Sequence, residues 1–148
     1  MSSREVFDAI RAQRPRFDTT FLAKENALPR VKERGKIYLY KLAFWLHVKE
    51  VVRHVAQAGD TTYLVVGNLQ TNNKRDAIRH AVQDVCSQIA NRRIVPCIWE
   101  APSSWGIQVA DYGLWAVQRV LEGRECPWYT THIQPSLRSR FLPWGAAS

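Results

Sequence analysis

Acidic residues are scarce in this chain: 13 Asp and Glu stand against 21 Lys and Arg in 148 residues, a net charge of +8. Such an excess favours phosphate-rich partners through counterion release, and a solvated basic surface is the competing reading. The excess is uneven, with twelve Lys/Arg against six acids in residues 1–59 and nine against seven in 60–148. Long apolar runs are also missing. No stretch approaches the roughly 18 uncharged apolar residues of a membrane span, and the first residues, MSSREV, lack the basic-then-apolar order of a secretory signal. No membrane partner and a cytoplasmic location are therefore expected. Cysteine is sparse and scattered. Cys86, Cys97 and Cys126 form no Cys-x-x-Cys pair and have no His at ligand spacing, which excludes a disulfide framework or a zinc site and leaves them as small buried residues. Internal repeats and low-complexity tracts are absent.

What is present is 46% hydrophobic content with six Trp, enough to build a core in one domain spanning 1–148. Ser3–Phe7 begins a short helix with Val6 and Ile10 on its apolar side, ended by Pro15. "RFDTTFLA", 16–23, alternates like a half-buried strand, and a polar loop follows. From Ile37 to Ala58, apolar residues recur at three- and four-residue steps, predicting a long amphipathic helix closed by Gly59. "TTYLVVG", 61–67, reads as a strand covered on both faces, residues 73–92 as a second amphipathic helix, and "RIVPCIW", 93–99, as another strand in which Pro96 marks an edge or bulge. A third helix starts near Trp105. Residues 124–148 read as an irregular tail along the surface, with one short helix at 135–141.

This rhythm is that of an α/β domain: a small, mostly parallel sheet flanked by helices. In such sheets function gathers at the carboxyl ends of the strands, here 67–73, 99–105 and the start of the helix holding Asp111. On that helix Asp111 shares a face with Ile107, Leu114, Trp115 and Gln118, so the acid is expected to point into apolar packing. A buried carboxylate must be neutralised, hydrogen-bonded or paired with a cation. One reading gives Asp111 a backbone amide, Gln118, or a Lys or Arg of the long helix as partner. The other makes it a ligand of Mg²⁺ or Mn²⁺, with Glu100 as the second acid at that edge. Across the edge, Lys74 and Arg75 open a helix, where cations oppose the helix dipole by roughly 0.3–1 kcal/mol apiece. That placement suits a bound phosphate, and side chains trailing into water would also produce it. Lys24, after the first strand, is read the same way.

The segment "IVPCIWEAPSSWGIQVADYGLWAVQRVLEGRE", 94–125, resembles the closing part of the family known as domain of unknown function 3800, with "FDTTFLAKENA", "YLYKLAFWL" and "LVVGNLQTNNKRDAIRHAVQDV" resembling its middle portion. The resemblance implies a ribonuclease H-like fold, a metal-dependent nuclease lineage, and carriage by phages or other mobile elements. It places Asp111 at the family's acidic position on the last helix, with Gln108, Tyr112, Trp115, Gln118 and Arg119 at flanking positions, Gln108 orienting the acid and Trp115 packing in the core. Lys24 matches a Lys after the middle strand.

The chain departs from the family at its opening: residues 1–30 carry no Asp-Glu-Ser-Gly type motif, and Asn68 puts no carboxylate at the tip of the strand from 61. The expectation is a truncated ribonuclease H-like domain whose sheet is completed by a second copy or another polypeptide. Three functions follow. The first is a nucleic-acid-binding or assembly module using Lys24, Lys74, Arg75, Arg79, Arg92 and Arg93. The second is a Mg²⁺- or Mn²⁺-dependent nuclease completed by a partner chain or by an absent N-terminal segment. The third is a protein-interaction subunit anchored by Trp128, Tyr129, Phe141 and Trp144.

Overall fold

The α/β character read from the sequence holds: helices carry most of the ordered chain, and the strands form two small sheets. The computed structural model describes residues 2–68, 72–100 and 104–147, without the side chains of Asn68, Asn72, Asn73 and Lys74. The chain divides into two units, Met1–Thr19 with Ala101–Arg140, and Thr20–Glu100 with Phe141–Ser148.

In the first unit, helix α1 (Ser3–Gln13) is set by its ends. The Ser2 hydroxyl accepts the Glu5 N–H at 3.2 Å, as an N-cap does. At the other end Arg14 turns into the left-handed region, φ 47°, and its N–H closes on the Ile10 carbonyl at 2.8 Å before Pro15 forbids another turn. Val6, Phe7 and Ile10, three and four residues apart, are buried. Helix α5 (Trp105–Leu121) is capped by Ser104, whose hydroxyl accepts the Ile107 N–H at 3.3 Å. Its buried side is Ile107, Gly113, Ala116 and Val117.

That side corrects the expected one. Leu114 and Trp115 are 41% and 44% exposed, and Asp111 is exposed with them. The reason lies in strand β1 (Phe17–Thr20): the ring of Phe17 packs directly against the backbone of Gly113, so the close-packed side of α5 is the one with the smallest residues.

The segment expected to be irregular is ordered. It forms a π-helical turn at Tyr129–Ile133, a 3₁₀ turn at Gln134–Ser136, and strand β4 (Leu137–Phe141), which pairs with β1. Of the helix expected at 135–141, the start lies in the 3₁₀ turn and residues 137–141 are instead a strand. Its alternation of half-buried Leu137, Ser139 and Phe141 with exposed Arg138 and Arg140 has the two-residue period of a sheet. Ile133 is fully buried, and the imidazole of buried His132 lies 3.1 Å from Asp8 Oδ1 and 2.6 Å from Thr131 Oγ1. Ser139 Oγ donates to Asp18 Oδ1 at 2.7 Å, and Arg16 Nε donates to the same carboxylate at 2.8 Å.

The second unit has a 3₁₀ turn at Lys24–Asn26 and a short helix α2 (Pro29–Lys32) where a loop was expected. Helices α3 (Gly35–Val55) and α4 (Asn72–Gln88) pack against a parallel pair, β2 (Thr61–Asn68) and β3 (Arg93–Glu100), in register from Thr61 opposite Arg93 to Asn68 opposite Glu100. One cluster joins Val48 and Val52 of α3 to Val85 and Ile89, with Leu64 and Ile94 against it. Another is built on Ile78, Val82 and Cys86 with Val66 and Ile98. Lys41 Nζ donates to Asp84 Oδ2 at 2.8 Å, tying α3 to α4.

Among the described residues of this unit, the helices cover one face of this sheet. Alternating with the inward Leu64 and Val66 are Tyr63 and Val65, 71% and 39% exposed, and Trp99 of β3 is 49% exposed. A run of β-branched and aromatic residues does not by itself separate a strand covered twice from one covered once. Among the described residues β2 and β3 pair only with each other, which gives Pro96 the unpaired strand side it needs. All three cysteines are free; Cys86 is buried, which pushes its thiol pKa up, and Cys97 and Cys126 are half-buried. No helix among the described residues is long and apolar enough to cross a membrane.

Candidate functional site

Asp111 lies on the outer flank of α5, beside a cavity of about 510 Å³ lined by Ser3, Phe7, Asp111, Tyr112, Trp115 and Trp128. The expected apolar surroundings are therefore present, but as an open aromatic pocket. Phe7 is its floor. The Phe7 ring stacks on Trp128 at 5.0 Å with 8° between planes, takes Tyr112 edge-on at 5.6 Å and meets Trp115 at 6.3 Å. Partial desolvation raises the Asp111 pKa above its ordinary value. Gln118, one expected partner of the acid, instead donates from Nε2 to Glu122 Oε1 at 3.0 Å. Gln108 is half-buried on the same helix.

The second nominated acid, Glu100, belongs to the other unit, at the end of β3. There it meets Arg75 of α4, Nη2 to Oε1 at 3.4 Å. The structure thus joins a residue nominated for phosphate to one nominated for metal, and each offsets the other's charge. Arg79 is exposed one turn further along α4, and Lys24 is exposed at the start of its 3₁₀ turn. The side chain of Lys74 lies outside the described residues. Among those described, no group of three or more His, Cys, Asp or Glu side chains gathers. A divalent ion such as Mg²⁺ wants several oxygen ligands, and the one carboxylate and two hydroxyl side chains lining an aromatic pocket do not supply that set.

A basic groove not anticipated as such lies in the second unit, where the C-terminal halves of α3 and α4 run together. It encloses about 270 Å³ and is lined by Trp45, Lys49, Arg53, Gln88, Ile89, Ala90, Asn91 and Arg92. Trp45, Lys49 and Arg53 follow at four-residue steps, one stripe of α3, a signal readable in the sequence. Lys49 Nζ sits 4.5 Å from the centre of the Trp45 ring. Arg53 is held by Glu50 at 2.9 Å. Past the end of α4, Asn91 adopts a left-handed conformation, φ 61°, and Arg92 donates from Nη1 to the Asn91 carbonyl at 2.9 Å. Arg92 Nε is buried and has no acceptor among the described residues. Of the nominated cations whose side chains are described, Arg92 lines this groove; Arg93 opens β3 and is exposed.

Comparison with protein-family models, curated proteins and solved structures returns no match.

Proposed function

We propose that this chain is a nucleic-acid-binding or assembly module on a reduced nuclease-like scaffold, with the Trp45–Lys49–Arg53–Arg92 groove as its principal contact with the nucleic acid. The observation that carries the reading is the combination in one groove of three cations with an indole. Cations neutralise successive phosphates, and an aromatic face stacks with bases of any sequence. The net charge of +8 supports the same class of partner. The test is binding of a fluorescent single-stranded oligonucleotide over a salt series. Affinity should fall steeply with salt, and Lys49→Ala and Arg92→Ala should each weaken binding and shallow the slope by about one charge. Salt-insensitive binding, or variants that bind like the parent, would sink the proposal.

The assembly half of the reading rests on a separate observation, the uncovered sheet face with Tyr63, Val65 and Trp99. A two-stranded sheet is marginal alone, and a second copy or another chain packing against this face would cover it. Light scattering on the parent and on Trp99→Lys tests it: a self-associating parent and a monomeric variant would support a homo-oligomer. The alternative, a metal-dependent nuclease, needs further carboxylates from a partner chain or a further N-terminal segment.

A further inference from the structure

We infer that the aromatic pocket of the first unit is a binding site for an alkylated ammonium group, held by the faces of Trp115, Tyr112 and Trp128 and by the carboxylate of Asp111. The argument begins with what the pocket offers. Its lining joins four aromatic rings, one hydroxyl from Ser3 and a single acid. Aromatic faces are electron-rich and attract cations within about 6 Å of the ring centre. The chain shows this at one of the same rings: the Arg119 guanidinium carbon stands 5.2 Å from the centre of Trp115, and Arg119 is not among the residues lining the cavity.

The chemistry selects among cations. Divalent metals and bare ammonium are strongly hydrated and would surrender that water to rings that cannot replace it. An alkylated ammonium carries its charge on a shell of methyl groups, so it loses little hydration and gains contact with every ring it touches. The floor is preformed. Phe7 is fully buried and Trp128 stacks on it, while Trp115 remains 44% exposed at the mouth. In a chain of net charge +8, the rings alone would compete poorly for a cation, and Asp111, the one acid among the described lining residues, supplies the local negative charge.

The pocket belongs to the first unit and the basic groove to the second, and the inference is independent of the proposed nucleic-acid contact. Its test is calorimetric titration of the full chain with trimethyl-lysine, with phosphocholine, and with 3,3-dimethylbutanol, a neutral molecule of the same shape as the choline headgroup. Trimethyl-lysine should bind and the neutral molecule should bind at least about tenfold more weakly, the span of a cation–π contribution. Comparison with phosphocholine separates an amino-acid source of the cation from a headgroup source, since its phosphate would be repelled by Asp111. Trp115→Ala and Asp111→Asn should each lower trimethyl-lysine affinity about tenfold, and Trp115→Phe should retain most of it. Both positions are exposed, so circular dichroism should show folded variants. Equal binding of the cations and the neutral molecule, or no binding to the folded parent, overturns the inference.

Discussion

The Phe17 ring occupies the space that a Cβ on residue 113 would need. Gly113 lies within α5, where glycine costs about 1 kcal/mol relative to alanine, and the close approach of the ring offsets that cost. Gly113→Ala is expected to destabilise the first unit: overpacking costs about 1–3 kcal/mol, against a helix-propensity gain of about 1 kcal/mol. Urea unfolding followed by near-ultraviolet circular dichroism reads the difference. Adding Phe17→Leu, which makes room for the methyl group, should recover part of the loss. A single Gly113→Ala variant more stable than the parent would show that the ring yields freely.

Asp111 supplies a pH signature of its own. Its carboxyl holds its proton more tightly in the folded chain than in the unfolded one, because desolvation raises its pKa. Between the ordinary carboxylate value and the raised one, the folded state therefore binds the extra proton, and stability falls as pH rises through that window. Asp111→Asn removes the cost. The variant should have a higher melting temperature than the parent at pH 7, and the difference should vanish at pH 3, where both side chains are neutral. A variant less stable at pH 7 would mean that the carboxylate has a favourable partner in the folded chain.

The pair Lys41–Asp84 gives the opposite sign. The hydrogen bond and charge of Lys41 hold the Asp84 carboxyl below its ordinary value. Its contribution is present above the unfolded carboxylate value and is lost as pH falls through the folded one. Lys41→Met should lower the urea midpoint at pH 7, by a small amount because the pair is exposed, and the gap should close in acid. Parallel midpoint curves for parent and variant across that range would show that the bond contributes nothing to folding.

The sequence makes the backbone more legible than the sites. The period of apolar residues finds α3, α4 and the β2–β3 pair to within a few residues, because helices and strands that bury one side must repeat at 3.6 or 2. It misleads at α5, where Trp115 and Leu114 look like core, while the buried side is built on Gly113 and Ala116. Hydrophobicity indicates what tolerates burial; Phe17, nearly a hundred residues away, decides which side is approached closely. The strand at 137–141 was obscured by Arg138 and Arg140, whose alternation is visible only over five residues. The groove escapes for the same reason as α5: Trp45, Lys49 and Arg53 are local, but Arg92 joins them only through the packing of α3 on α4.

Arg75 and Glu100 offer a test that separates two readings of one edge. The guanidinium lies 3.4 Å from the carboxylate, so part of its charge is already offset. Under the nucleic-acid reading, Glu100→Gln frees that charge for phosphate. Oligonucleotide affinity should rise at low salt, and the dependence on salt should steepen by up to about one charge. Under the metal reading, Glu100→Gln instead removes a ligand, so Mn²⁺ binding seen by calorimetry in the parent should disappear while oligonucleotide affinity does not improve. The first result would make Glu100 a brake on a phosphate-binding helix start; the second would restore it to the acids of a nuclease.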